Sequence, residues 1–520
     1  MSLHGKNFIG YALSGNSRKT FAGHTATPTP TRFHPATARE MEKALQLACE
    51  AFRTYRNLPG SARAAFLRAV ADQVEALGHV LVATAMAESG LPEARLLGER
   101  ARTCGQLRLF ADLLEEGSWV GAVIDRGNPA RQPLPKPDIR RMLLPVGPVA
   151  VFTASNFPLA FSTAGGDTAS ALAAGCPVVV KAHEAHPATN ELVAGAICAA
   201  ARESGMPDGV FSSLHGGHAL GKSLVRHPLI RAVAFTGSFR GGKALFDLAV
   251  RRPVPIPVFA EMGSVNPVVV LPDLPSEEMH HYAARLAASV QLGAGQFCTN
   301  PGLVFLPESQ APAFGKVLRD SFVEAPAQCM LNHRIRHRFA ELLAELGHLP
   351  QVDIVSFPAE DGGGAPFVRP ALGITRSESF LRSPMLREEV FGPFTLLVTY
   401  RDAAELPGLI RSLPGQLTAT VVGAAESLAS CSALLLEIGD RVGRILFNGV
   451  PTGVEVGYAM QHGGPFPATT DARSTSVGTD AILRFVRPVA FQDFPDQALP
   501  PALQDDNPLR IRRMVDGQPE

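Results

Sequence analysis

The chain has 520 residues, 46% of them hydrophobic and 18% charged, which is the composition of a globular protein with more than one domain. Lys plus Arg and Asp plus Glu each number 48, and this zero net charge argues against nucleic acid or an anionic membrane as the main partner, because binding either one needs a basic surface. No apolar run approaches the ~18 residues of a membrane span, and the 7 cysteines include no CxxC pair, so neither a disulfide scaffold nor a zinc ribbon is expected.

The N-terminal region begins with a polar segment. Residues 1–35, with a Thr/Pro run at 25–31, are expected to form loop or extended chain, and the first ten lack the basic and apolar segments of a signal peptide. The scattered cysteines, odd in number, favour a reducing compartment and hence a cytoplasmic protein. Thr37 and Glu40 then form a capping-box pattern. This pattern predicts the start of a helix, since each side chain can satisfy a free amide of the first turn.

Two further helices are predicted before residue 117. Ser61 is expected to cap a helix that stops at Gly78. Another helix is predicted over 91–116, with Gly117 as its stop. These elements predict an N-terminal helical layer.

Beyond residue 139, short β-rich runs alternate with helical stretches such as 188–204. Apolar runs of this length are typical of buried parallel strands, and the alternation predicts an open sheet with helices on both faces. The proline-rich segment 253–257 is interpreted as a linker between two such units, and a strand over 482–491 is expected to pair with 139–146 as an arm. The predicted sheet strands are 177–181, 211–214, 232–235, 258–260 and 267–271.

Cys298 lies in a glycine-rich segment that includes Gly293, Gly295 and Gly302. A lone cysteine is commonly a small buried apolar side chain. Glycines beside it instead allow backbone amides to approach the sulfur, which lowers the pKa of a thiol and can hold an oxyanion. Cys298 is therefore a candidate nucleophile.

Three other positions have a structural and a functional interpretation. Asn156 follows an apolar strand, and it is interpreted either as a turn asparagine or as an amide donor to an oxyanion. Glu261 follows the run 258–260, and it is interpreted either as a helix cap or as a general base. Lys181 ends another strand, and it is interpreted either as a solvated residue or as a ligand of a nucleotide ribose or phosphate.

A glycine-spaced turn follows the strand at 232–235. Gly237 and Gly242 have GxxxxG spacing, which suits close approach of the backbone to a phosphate. The spacing differs from the GxGxxG fingerprint, and alone it is a weak signal.

These segments occur together in the order and approximate spacing of the aldehyde dehydrogenase superfamily, and the resemblance covers about residues 5–517. The segment 152–158 resembles the asparagine motif of that superfamily, 261–267 its general-base motif, and 295–298 its nucleophile loop. The segment 388–393 is similar to its nicotinamide-side motif. We therefore identify the chain as a member.

The resemblance implies a catalytic set and a cofactor set. Cys298 is the expected nucleophile, Glu261 the base and Asn156 the oxyanion donor. Phe157 and Phe297 are expected to contact the substrate. No metal site is expected. The expected cofactor contacts run from the adenosine ribose to the nicotinamide and are Lys181, Glu184, Thr236, Gly237, Ser238, Gly242, Glu389 and Phe391.

The resemblance also implies the α/β fold of aldehyde dehydrogenases, which combines a Rossmann-type cofactor domain with an α/β catalytic domain and a small β oligomerisation arm. The expected NAD(P)-binding domain comprises 1–138 and 147–255, and the catalytic domain comprises 256–470. The arm comprises 139–146 and 482–495, and a homodimer or homotetramer is expected.

Several departures from the common family pattern suggest a branch. Ser155 stands where many members have Trp, and 461–478 departs from the usual tail. Together with 447–454 and 507–517, these departures resemble the 2,5-dioxovalerate (α-ketoglutarate semialdehyde) dehydrogenases. The implied reaction converts 2,5-dioxopentanoate to 2-oxoglutarate, with Arg473 as a candidate partner for the distal carboxylate or as a surface residue.

Three alternative functions stay open. The first is an NADP-dependent dehydrogenase of long-chain or varied aldehydes, the second a CoA-acylating aldehyde dehydrogenase, and the third a non-catalytic scaffold. The cofactor is NAD or NADP, since Glu184 would repel a 2′-phosphate whereas Lys181 and His183 would attract one.

Overall fold

The computed structural model describes residues 3–26, 31–357 and 366–520. Its N-terminal part is the predicted helical layer, and the Thr37–Glu40 capping box begins the first helix. Gly117 ends the fourth helix in a left-handed conformation, as expected for a helix stop. In chain order the elements are β1 Asn7–Ile9, β2 Ala12–Ser14, α1 Ala38–Tyr55, α2 Gly60–Ala76, α3 Gly78–Ser89, α4 Glu93–Glu116, β3 Val123–Asp125 and β4 Ile139–Pro145.

Strands β1 and β2 lie in the segment expected to form loop or extended chain, of which residues 1, 2 and 27–30 lie outside the described part. The helix predictions for this region differ from the structure at two points. Ser61 does not cap α2, because Pro59 occupies that position and its carbonyl accepts the first helical amides. Gly78 follows the end of α2, with φ of +55°, but α3 begins there at once and was not predicted.

The first large sheet has the order β2-β1-β7-β6-β5-β8-β9, and β5 to β9 run parallel. This arrangement is the predicted open sheet. The segment 253–257 joins α8 to β9 of the same sheet, so it is not a linker between units, and the sheet continues past the predicted domain boundary at residue 255. The elements are β5 Val149–Phe152, α5 Gly166–Ala174, β6 Val178–Lys181, α6 Pro187–Glu203, β7 Phe211–Leu214, α7 His218–Arg226, β8 Ala232–Thr236, α8 Phe239–Val250 and β9 Val258–Glu261.

The second large sheet has the order β13-β15-β16-β11-β10-β17-β18. Among the described pairings of this sheet, the edge strand β13 pairs antiparallel with β15, and the other neighbours pair in parallel. A separate antiparallel pair joins β12 to β14. The elements are β10 Val268–Val270, α9 Ser276–Gln291, β11 Leu303–Pro307, α10 Ala311–Glu324, β12 Gln328–Cys329, α11 His333–Gly347, β13 Asp353–Ser356, β14 Phe367–Val368, β15 Ala371–Arg376, α12 Ser377–Arg382, β16 Phe394–Tyr400, α13 Leu406–Arg411, β17 Thr418–Val422, α14 Ala425–Ser430, α15 Ser432–Gly439 and β18 Arg444–Phe447.

A third sheet contains the expected arm and has the order β19-β4-β3-β20-β21. Its late strands are β19 Val486–Gln492, β20 Met514–Val515 and β21 Gln518–Pro519. β19 pairs antiparallel with β4, so the predicted pairing of the two segments is present. The strand begins later than predicted, because Thr479–Phe485 forms a 3-10 helix.

The connections of the first sheet create a crevice at its carboxyl edge. In the order β7-β6-β5-β8-β9, the chain runs outward from β5 to β7 and then crosses back to β8. Ligands of such sheets bind where the strand order reverses, at the carboxyl ends of the strands. Among the described helices, none is both long and apolar enough to cross a membrane.

Candidate active site

Cys298 lies on a loop that follows α9 and a 3-10 turn at Leu292–Gly295. At Gly295 φ is +66°, and an added Cβ would lie 2.2 Å from the backbone of Gly392, so this position requires glycine. The side-chain amide of Asn266 donates to the carbonyl oxygens of Cys298 and Asn300, at 2.9 Å each. The loop is therefore fixed from two sides, and it leaves Cys298 partly exposed.

Asn156 reaches the same loop from the other large sheet. It follows β5, and its Nδ2 donates to the carbonyl oxygen of Gln296 at 3.0 Å. Gln296 precedes Cys298 by two residues. The structure thus places the predicted amide in contact with the loop that carries the predicted nucleophile.

Glu261 is the last residue of β9 and is buried. Its Oε1 lies 3.0 Å from Nε2 of His462, and its Oε2 accepts a hydrogen bond from the hydroxyl of Ser476. Burial alone would raise the pKa of Glu261, but the contacts with His462, Ser476 and Cys298 together hold it below its ordinary value. The carboxylate is therefore ionised at neutral pH.

The thiol of Cys298 contacts the same group of residues. Its Sγ lies 3.6 Å from Nε2 of His462. Burial and the negative charge of Glu261 hold the pKa of the thiol well above its ordinary value. The ligand atoms of Cys298, Glu261 and His462 all lie within 4.8 Å of one another, a set of donors that could also hold a thiophilic metal ion.

His462 and Ser476 were not predicted from the sequence. Both lie in the tail segment 461–478, which was noted for its departure from the family pattern and for Arg473 alone. The tail packs against the end of β9, where the amide of Met262 donates to the carbonyl of Ala468 at 2.7 Å. A histidine in an irregular glycine-containing segment was the available signal, but only the fold shows that it meets Glu261, 201 residues away.

The predicted adenosine-side residues lie at the carboxyl ends of β6 and β8. Lys181 ends β6, and burial lowers the pKa of its ammonium group, which Glu184 partly offsets. Nδ1 of His24 lies 3.8 Å from Oε2 of Glu184. Burial also lowers the pKa of His183 well below its ordinary value, so that side chain is neutral at pH 7. Of the three side chains Lys181, His183 and Glu184, the charges that remain are therefore those of Lys181 and Glu184.

The predicted phosphate turn lies at the N-terminus of α8. Ser238 is the N-cap, and its hydroxyl accepts from the amide of Gly241 at 3.3 Å. The hydroxyl of Thr236 is buried without a hydrogen-bond partner among the residues described, and the amide of Gly237 is already bonded to the carbonyl of Glu261. Gly242 packs against Met262, where a Cβ would lie 2.7 Å from the side chain. The absence of a side chain at Gly242 therefore lets α8 pack closely against the end of β9.

The predicted nicotinamide-side residues lie next to the cysteine loop. Glu389 and Phe391 line one pocket with Gly295 and Phe297. The carboxylate of Glu389 lies over Gly263, where an added Cβ would come within 2.2 Å of its oxygen. Burial raises the pKa of Glu389 to about 7, against a lowering hydrogen bond from the amide of Ser264.

Aromatic side chains form one wall beside the sulfur. The rings of Phe157 and Phe297 are 5.3 Å apart, and those of Phe157 and Phe161 are 5.1 Å apart. The predicted Arg473 is not part of this wall. Its side chain is 90% exposed and paired with Asp471, and a solvated surface cation cannot hold a carboxylate inside a buried pocket.

Comparisons with known proteins agree with this geometry. The sequence profile described as "Aldehyde dehydrogenase family" matches residues 20–330. Over 532 aligned positions, the chain is 47% identical to alpha-ketoglutaric semialdehyde dehydrogenase 2 of Azospirillum brasilense, with 100% of both chains covered. It is also 47% identical to alpha-ketoglutaric semialdehyde dehydrogenase of Acinetobacter baylyi, over 99% of this chain and 98% of that one.

Solved structures share the fold. An indole-3-acetaldehyde dehydrogenase of P. syringae, bound to NAD⁺, superposes with a TM-score of 0.82 at 21% identity and covers 95% of this chain and 97% of its own. A 3,6-anhydro-L-galactose dehydrogenase superposes with a TM-score of 0.80 at 20% identity, over 94% and 99% of the two chains. At these identities the likeness shows the α/β fold alone.

Proposed function

Because the chain belongs to the aldehyde dehydrogenase family, whose members oxidise aldehydes with NAD(P)⁺ through a cysteine, we propose that Cys298 is its nucleophile and 2,5-dioxopentanoate its substrate. The observation that carries the assignment is the convergence of three groups from distant parts of the chain. The thiol of Cys298, the carboxylate of Glu261 and the amide of Asn156 meet at one loop. The product is 2-oxoglutarate.

The first step is attack of sulfur on the aldehyde carbon. The ionised Glu261 accepts the thiol proton, the new S–C bond forms, and the carbonyl electron pair moves to oxygen. The amide of Asn156 and the backbone N–H of Cys298 donate to that oxyanion. One such donor is worth about 3 kcal/mol of barrier.

The second step removes a hydride from the same carbon. A bound NAD(P)⁺ would supply the hydride acceptor; as the oxyanion re-forms its C=O bond, Cys298 carries an acyl thioester. Glu389 and Phe391 would hold the nicotinamide side, because they lie in one pocket with the cysteine loop. Lys181, Thr236 and Ser238 would contact the adenosine side, at the strand edge where nucleotides bind in sheets of this topology.

The third step is hydrolysis of the thioester. Glu261, ionised again after its proton has left the site, takes a proton from water, whose oxygen attacks the acyl carbon as the C–S bond breaks. His462 and Ser476 position this carboxylate by bonding to its two oxygens. A carboxylate ready to activate water favours hydrolysis over transfer of the acyl group to CoA.

The substrate assignment rests on the two relatives that are 47% identical over nearly their whole lengths. Both are alpha-ketoglutaric semialdehyde dehydrogenases. A panel that compares 2,5-dioxopentanoate, succinic semialdehyde, pentanal and decanal by cofactor reduction tests it. The highest kcat/KM is expected for 2,5-dioxopentanoate, and a preference for decanal would instead support the long-chain alternative.

The cofactor preference depends on Glu184. A carboxylate at the adenosine ribose accepts hydrogen bonds from a 2′-hydroxyl and repels a 2′-phosphate. Because His183 is neutral at pH 7, Lys181 is the cation of this group that remains to oppose the repulsion. Glu184 therefore favours NAD over NADP.

The third sheet supports the assignment of an oligomerisation arm. β19 is its outer strand and leaves one side unpaired within the described chain. An open strand edge is a ready surface for pairing with a second copy. A homodimer or homotetramer is therefore the proposed state, and light scattering coupled to gel filtration would measure it.

A further inference from the structure

One face of α4 carries four polar side chains into the interior. Arg95, Glu99, Arg102 and Gln106 follow one another at intervals of four, three and four residues, which places them on one side of a helix. Nε of Arg95 lies 2.9 Å from Oε1 of Glu99. The other oxygen of Glu99 accepts the backbone amides of residues 159 and 160 at 3.2 and 3.3 Å. Both oxygens of this buried carboxylate are thus already in use.

Arg102 has no such partner. Its Nε and Nη2 atoms are buried and make no hydrogen bond to any residue in the described ranges. The guanidinium lies over the ring of Phe161, 5.2 Å from its centre. Buried donors of a charged group are costly when unpaired, so two unpaired guanidinium donors in the interior suit an anionic ligand.

Arg102 lies at the aromatic wall and interacts electrostatically with the reacting sulfur. The ring of Phe161 lies 6.2 Å from that of His462, and Nε2 of His462 lies 3.6 Å from Sγ of Cys298. Burial and Glu261 raise the pKa of the Cys298 thiol, while the positive charge of Arg102 acts in the opposite direction. The free cation and the nucleophile therefore share one electrostatic environment along the aromatic wall.

We propose that Arg102 binds the distal carboxylate of an aldehyde that carries an acid group at its other end. The inference rests on the proposed function and names the residue that selects for an acidic substrate. A guanidinium presents two parallel N–H donors to a carboxylate, which fixes both distance and orientation. The rings of Phe157, Phe161 and Phe297 contact the carbon chain between the carboxylate and the aldehyde.

Two other arginines near the site already have hydrogen-bond partners. Arg444 also acts electrostatically on Cys298, and its Nε is buried without a partner among the described residues, but its Nη2 donates to the carbonyl of Pro451 at 2.9 Å and its Nη1 to that of Gly453 at 3.4 Å. Arg95 is paired with Glu99. Arg102 has two buried donors without a partner in the described ranges, so it is the strongest candidate among these cations.

The test compares Arg102→Gln with the wild type on 2,5-dioxopentanoate and on pentanal, a neutral aldehyde of the same length, at saturating cofactor. The KM for the acid should rise about 100-fold, because a paired charge is lost, while kcat changes little. The KM for pentanal should not rise. Arg102→Lys keeps the charge but loses the two parallel N–H donors, so its KM for the acid should lie between those of the wild type and Arg102→Gln. Arg108→Gln is the matched control, because it is on the same helix in exposed pairs with Asp72 and Glu75.

The outcomes separate the inference from the proposed function. If the wild type does not prefer the acid over pentanal, the proposed substrate is wrong. If the wild type does prefer it and Arg102→Gln keeps that preference, Arg102 does not bind the carboxylate. An equal loss on both substrates would show that Arg102 acts only through the thiol and does not bind the substrate, and this too would overturn the inference. A thermal unfolding curve checks folding, and Arg102→Lys gives the same comparison if the glutamine variant does not fold.

Discussion

Nε2 of His462 lies 3.0 Å from Oε1 of Glu261, inside a site in which both side chains are almost fully buried. An ionised carboxylate can only accept hydrogen bonds, so Nε2 of His462 must carry the proton that they share. Ser476 donates to the other oxygen. The tail of the chain thus holds the base in its ionised form and fixes its direction.

Removing these donors should raise the pKa of Glu261, since burial would then act with less opposition. We expect the acidic limb of the kcat–pH profile to move to higher pH in His462→Asn and in Ser476→Ala. Ionised Glu261 is required, so activity is lost as pH falls through its pKa. Ser474→Ala, whose hydroxyl bonds to Asp471 in the same tail, is the control and should keep the wild-type profile. An unchanged profile in both test variants would refute the role of the tail.

The thiol of Cys298 should respond in the opposite direction to the loss of Glu261. The negative charge of Glu261 is one cause of the raised thiol pKa, so Glu261→Gln should lower it. The rate of alkylation by iodoacetamide, measured against pH in the absence of cofactor, reports the thiolate fraction. The midpoint should move to lower pH in the variant, and Cys298→Ala should abolish the labelling of this site. A midpoint that stays in place would contradict the electrostatic account.

Glu389 should impose a pH dependence on cofactor use. Its pKa is raised to about 7 by burial, so it is ionised above that pH and protonated below it. As an ionised acceptor for ribose hydroxyls, it should make kcat/KM for the cofactor fall as pH decreases through about 7. Glu389→Gln should remove this fall of kcat/KM at low pH and should lower the value of kcat/KM reached at high pH. If the fall persists in the variant, another group causes it.

Glu184 should control discrimination between the two cofactors. Replacing it with Gln removes a negative charge at the predicted ribose site, so the ratio of kcat/KM for NADP⁺ to that for NAD⁺ should rise about tenfold or more. Glu203→Gln, an exposed carboxylate on α6 that bonds to Gln73, should leave the ratio unchanged. Equal ratios in wild type and Glu184→Gln would place the adenosine ribose elsewhere.

Local chemistry made much of the fold predictable. The capping box of Thr37 and Glu40 is a contact between residues three apart, and the buried strands are short apolar runs, so both are visible in sequence. The chain also belongs to the expected family. The failures were local as well: the N-cap of α2 is Pro59, two residues before Ser61, and a third N-terminal helix follows Gly78 directly.

Contacts between distant segments limit prediction of the site. Cys298, Glu261 and Asn156 could be chosen from recognisable motifs, whereas His462 and Arg102 gain their meaning from contacts across the fold. Arg473 was chosen for its charge and its position in an unusual segment. The exposure of its side chain, which decided against it, cannot be read from the residues of that segment.

Rapid mixing of Glu261→Gln with 2,5-dioxopentanoate and saturating cofactor tests the central assignment most directly. Loss of the carboxylate lowers the thiol pKa and lets its proton pass to solvent, so a burst of about one reduced cofactor per active site should persist while steady turnover falls about 100-fold. Mass spectrometry should find the acyl group on Cys298, and Cys298→Ala should bind cofactor but give neither phase. Equal loss of burst and steady turnover in Glu261→Gln, or full activity in Cys298→Ala, would contradict the account.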